Sequence, residues 1–121
     1  MLLPNLRLSK NAKIILIGST WVPNHQGKEL VFSATKFGLK GIAESLREIV
    51  GEDQIGVSVL SLGYLATEFT IDVPVNMVLE ESDYSLIPLQ DVLLAIQFIA
   101  ATSPATCVKE IIMPAMADEN V

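Results

Sequence analysis

Apolar positions along the chain fall into two kinds of block. Residues 13–18 (KIILIG), 55–62 (IGVSVLSL) and 107–113 (CVKEIIM) are short runs rich in β-branched residues. Their length and composition predict strands, the first buried on both faces and the last stopped by Pro114. Residues 29–50 and 88–102 instead repeat at helical spacing. In the first of these, Leu30, Ala34, Phe37, Gly41, Leu46 and Ile49 form the stripe, and Gly51 suits the position just past the end. In the second, Val92, Ala95, Ile96, Ile99 and Ala100 form it, with Pro88 suited to the first turn. Residues 1–9 are too short to read alone, and 19–28 read as loop. Residues 63–87 form a long irregular stretch of the kind a compact domain keeps for a lid or binding loop. The order strand, helix, strand, lid, helix, strand argues for a mainly parallel α/β sheet.

Composition narrows the classes. The 121 residues suit a single domain over 1–121. Half of them are apolar and 18% charged, a slight apolar excess for so small a domain, which points to a partner surface. A net charge of −6, with scattered lysines and arginines, argues against nucleic acid. One cysteine, Cys107, excludes an internal disulfide and a multi-cysteine zinc site, and fits a reducing, cytoplasmic setting. As a strand residue it is expected to be a small buried hydrophobe. No apolar run is long enough to span a bilayer, and the N-terminus lacks the features of a signal peptide. Glu80-Glu81-Ser82-Asp83 reads as a solvated run.

Sites on parallel sheets sit in the loops after the strands. The first such loop begins Gly18-Ser19-Thr20, and the helix after it carries Phe32-Ser33-Ala34-Thr35-Lys36. Phe32 and Lys36 are four apart and share a helix face. The second strand runs into Leu62-Gly63-Tyr64-Leu65-Ala66-Thr67. At these residues the chain resembles the classical short-chain dehydrogenase/reductase family. That family has a strand ending in a catalytic Ser, a Tyr thirteen residues on, a Lys four further, and a Pro-Gly turn before a Thr. Ser19, Lys36, Gly63 and Thr67 fall in place, and residues 1–9 match the tail of the helix before the Ser strand.

The resemblance implies a Rossmann-like half of about three mainly parallel strands with flanking helices. It also implies NAD or NADP as cofactor. Ser19 would hold the substrate oxygen, Lys36 would bind the nicotinamide ribose, and Gly63 and Thr67 would line the cofactor site. Trp21 and His25 would line the substrate pocket. No metal is implied. Two departures stand against activity. Position 32 is Phe where the family has its proton-transferring Tyr, and the loss of such a group removes about 10²–10⁴-fold in rate. The seven glycines (18, 27, 38, 41, 51, 56, 63) form no glycine-rich phosphate turn.

The chain therefore reads as the C-terminal half of the fold, with the dinucleotide-binding half missing. The bare edge of strand 13–18 would be completed by self-association or by a partner chain. Gly38 and Gly41 inside the helix suggest that a second backbone approaches there, from within the chain or from another copy. Three functions follow as alternatives. The chain is a catalytically impaired reductase-like protein (a pseudoenzyme), or one half of an active NAD(P)-dependent oxidoreductase completed in trans, or a non-enzymatic interaction module built on segment 63–87.

Overall fold

The computed structural model describes residues 2–20 and 30–118, without the side chains of residues 30, 32 and 33. The elements run α1 (Leu3–Leu8), β1 (Lys13–Ser19), α2 (Leu30–Val50), β2 (Gly56–Leu62), α3 (Val75–Glu81), α4 (Leu89–Ala101) and β3 (Glu110–Met113). The strands form one sheet in the order β1-β2-β3, parallel throughout. Lys13 through Ser19 pair in register with Gly56 through Leu62, and Val59 through Leu62 with Glu110 through Met113. The parallel α/β arrangement expected from the alternating blocks is thus present.

β2 lies in the middle, and every one of its residues is buried. No charged residue interrupts GVSVLSL, as a strand covered on both faces requires. Alternation along the strands separates the two layers. Val57 and Val59 join Ala12, Ala43, Val50 and Ile55 in one cluster, with Leu3, Leu6, Ile14, Leu16 and Leu46 packed around it. This is the layer covered by α1 and α2. Leu60 and Leu62 point to the opposite layer, where α4 lies against β1.

The buried face of α2 differs from the stripe expected. Ala43, Leu46 and Val50 face the sheet, whereas Ala34, Phe37, Gly41 and Ile49 are exposed. Both faces of the helix carry apolar residues, so periodicity alone could not choose between them. Among the described side chains only Leu46 belongs to both the expected and the observed inner face, and that of Leu30 lies outside them. α4 keeps its expected stripe, with Ile99 buried and Val92, Ala95 and Ile96 half-buried, except that Ala100 is exposed.

β3 starts later than expected, at Glu110. Arg47 on α2 clamps the chain just ahead of it. Its Nε donates to the Val57 carbonyl at 3.0 Å and its Nη2 to the Lys109 carbonyl at 2.7 Å, while Nη1 pairs with Glu44 at 2.7 Å. The guanidinium thereby ties β2 to the chain just ahead of β3, sharing the Lys109 carbonyl with the Val59 N–H, which donates to it at 2.9 Å. Cys107 falls in that stretch. It is exposed rather than a buried strand residue, with its Sγ 3.6 Å from the Val57 carbonyl.

Segment 63–87 is also more ordered than its composition suggested. It contains α3, entered from Pro74 without a side-chain cap. Its two ends are stitched together by a parallel bridge between Leu65 and Ile87. Ala66 N donates to Ile87 O at 2.9 Å, and Ile87 N to Tyr64 O at 2.8 Å. Val78, 1% exposed, plugs α3 into the body.

Candidate functional site

The C-terminal ends of the three parallel strands open on one side of the sheet. Ser19 is the last residue of β1, and Thr20 continues the ladder by donating its N–H to Leu62 O at 3.1 Å. Lys36, on the second turn of α2, sends its Nζ to the Ile17 carbonyl at 3.3 Å. That carbonyl lies two residues before Ser19, so the ammonium and the hydroxyl-bearing residue are brought to the same strand end. Phe32 sits one helical turn before Lys36, in the opening turn of α2. Its side chain, and all of Trp21 and His25, lie outside the described residues.

Gly63 follows β2 directly, and its N–H donates to Met113 O at 2.9 Å. A Cβ there would stand 2.8 Å from the Ala115 nitrogen and 3.2 Å from the Pro114 Cα. The need for glycine is therefore met by backbone approach within the chain. Thr67 is exposed beside the Leu65–Ile87 bridge, and its N–H closes a tight turn onto Leu65 O at 3.0 Å. Ser19, Lys36 and Gly63 thus flank the strand ends, and Thr67 opens the segment that borders them. Within that segment the Thr70 hydroxyl, followed by the Asp72 backbone, holds the Asp72 carboxyl below the usual carboxylate range.

The residues present fit the nicotinamide end of a dinucleotide better than its phosphates. Lys36 places a cation at the strand ends, as a ribose contact would need. Among the described residues, however, no glycine builds a phosphate cradle at a helix start. Gly18 packs against Ser61 and Val59, Gly51 against the Arg47 carbonyl, Gly56 against Lys13 and Gly63 against Pro114 and Ala115. Gly38 and Gly41 lie mid-helix. A cavity of about 450 Å³ does occur, but at the other end of the sheet, lined by Arg47, Gly51, Gly56 and Cys107 among others. It is remote from Ser19 and Lys36.

Sequence reasoning missed two anchoring side chains, Arg47 and Gln90. Each is a polar residue on a helix whose partners are carbonyls distant in sequence, and nothing in the local pattern marks them. Among the described residues no helix is long and apolar enough to cross a membrane.

A three-stranded parallel sheet with helices on both faces, and with the polar residues of interest gathered at its C-terminal edge, defines a Rossmann-like α/β protein. The family model for short chain dehydrogenases matches residues 1–77, more than half of the chain. The chain belongs to the short-chain dehydrogenase family. No curated protein matches it in sequence. Among solved structures, serine dehydrogenase from Escherichia coli superposes with a TM-score of 0.67 at 18% identity, over 92% of this chain and 43% of that one. An NADPH-bound short-chain oxidoreductase from Pseudomonas aeruginosa, described as containing an atypical catalytic center, gives 0.71 at 18% identity, over 98% and 51%. A β-ketoacyl-[ACP] reductase from Bacteroides thetaiotaomicron gives 0.62 at 23% identity, over 92% and 41%. At these identities the likeness is one of fold. The chain spans about half the length of these structures, or less.

Proposed function

We propose that this chain is a catalytically impaired member of its family, retaining the strand-end framework of a reductase without its proton relay. The observation that carries this is Phe32, four residues before a Lys36 whose ammonium is held at the end of β1. In this reading Ser19 marks the place of the substrate oxygen and Lys36 that of the nicotinamide ribose. A phenol at position 32, next to that ammonium, could give or take a proton as hydride moved. A benzene ring can do neither. The same 121 residues hold no glycine-rich turn for the pyrophosphate.

Titration with NADH and NADPH, followed by nicotinamide fluorescence, tests the reading. The expected result is no saturable binding by the chain alone. Tight binding would overturn it.

A second reading is favoured by the sheet itself. Among the described residues the outer edge of β1 carries no strand, although the strand is apolar. A second copy or a glycine-rich partner chain pairing there would complete the sheet, and in the second case an NAD(P)-dependent oxidoreductase would be assembled in trans. Capture of such a partner, followed by turnover assays with Phe32→Tyr, tests this. A gain of about 10²-fold or more is expected once the phenol is supplied. No gain with the partner present would refute the reading.

A further inference from the structure

We propose that Gln90 is a latch, a positioning residue whose carboxamide holds segment 67–86 docked beside the strand ends and whose release lets that segment swing away. Gln90 lies in the first turn of α4, and its Nε2 donates to two carbonyls at once, Ile71 O and Val73 O, each at 2.8 Å. Both partners are acceptors, so the amide nitrogen must face them, and its two hydrogens serve one carbonyl each. Carbonyls two residues apart can meet a single donor group only if the chain between them is turned to one side. The contact therefore fixes the orientation of residues 71–73 as well as their distance from α4.

The rest of the segment opposes this docking at one end. After α3, Asp83 and Tyr84 both take left-handed backbone conformations, with φ of 49° and 58°. Neither is glycine, and a bulky Tyr is seldom found there. The Ser82 hydroxyl just before them is buried with no hydrogen-bond partner among the described residues. Strained backbone and an unsatisfied hydroxyl both favour release. Beyond the bridge at its mouth, the segment is held by the buried Val78, by half-buried apolar residues such as Phe69 and Leu79, and by the Gln90 amide, its side-chain hydrogen bond to α4. Of the two partners Ile71 is exposed and Val73 half-buried, so water reaches the Ile71 carbonyl most readily once the amide lets go. Releasing the latch thus frees the segment while leaving the sheet intact.

The functional meaning of the latch rests on the strand-end site described above, but its test does not depend on that reading. Amide hydrogen exchange is measured residue by residue in the whole chain. The reporters are the Val73 amide, bonded to Thr70 O, and the Phe69 amide, bonded to Ala66 O; the control is the Val59 amide, bonded to Lys109 O. Gln90→Met keeps the length and removes the donors. Gln90→Glu keeps the shape and presents a carboxylate to two carbonyls. Both are expected to lower protection at Val73 and Phe69 about tenfold or more, the worth of two hydrogen bonds, and to leave Val59 unchanged.

Gln90→Lys returns the donors and is expected to restore protection, since Lys13 in this chain already donates to two carbonyls, Ser103 O and Thr106 O. Unchanged protection at Val73 in Gln90→Met would overturn the proposal. So would an equal loss at Val59, or a Gln90→Lys variant that behaves like Gln90→Met. These outcomes are independent of whether the chain binds a nicotinamide cofactor.

Discussion

At the scale of single residues, the chain separates glycines that are needed from glycines that are merely present. Gly63 is needed, because the backbone of Pro114 and Ala115 occupies the place of its Cβ. Backbone cannot move aside as a side-chain tip can. Gly63→Ala is therefore expected to cost about 1–3 kcal/mol, the usual range for forcing extra volume into a packed site, read as a lower urea midpoint. The family pattern marks the same residue, but for a ligand rather than for a crossing of two strand ends. Ser19 and Lys36 were singled out by the spacing of the family pattern, and the structure puts the Lys36 ammonium on the Ile17 carbonyl near the end of β1. Gln90 was not, because it belongs to no such pattern and its partners are backbone carbonyls, which no residue identity marks.

At the scale of elements, α2 shows what patterning leaves open. Its inner face is Ala43, Leu46 and Val50, and its outer face still carries Val31, Phe37, Ile42 and Ile49, all about half exposed or more. Gly38 and Gly41 lie on that outer side, with nothing within 4 Å of where a Cβ would be. Gly38→Ala is accordingly expected to raise stability by about 0.5–1 kcal/mol, as for any exposed helical glycine. Thermal unfolding at several protein concentrations checks it. A loss instead, with a melting temperature that depends on concentration, would mean that a second backbone lies against this face.

The α4–β3 connection adds a related lesson. The sequence suggested seven strand residues, yet four form β3, and the chain ahead of it is held by Arg47 through the Val57 and Lys109 carbonyls.

At the scale of the whole molecule, the sheet is asymmetric. Its middle strand is wholly buried, while β1 is half-buried, carries an exposed Ile17 and has no strand on its outer edge among the described residues. Parallel strands of this composition are normally covered on both faces and both sides. A seven-residue edge strand with an apolar middle, Ile14 to Ile17, is a template for another strand. Self-association through β1 is expected, seen as a sedimentation coefficient that climbs with concentration, and Ile17→Lys is expected to abolish it by placing a charge on that edge. A wild-type chain that stays monomeric throughout would remove β1 as the surface of self-association.

The amino-acid sequence by itself determined the three strands and the two long helices. These depend on interactions between near neighbours, namely β-branched runs and helical periodicity. The missing phenol at position 32 was equally plain, since it is a matter of identity. Only the tertiary structure decided which face of α2 is inside, where β3 begins, why position 63 must be glycine and what holds segment 67–86. Each of those depends on two backbones or a side chain and a distant carbonyl coming together in space, and neither partner carries a mark in its own stretch of chain.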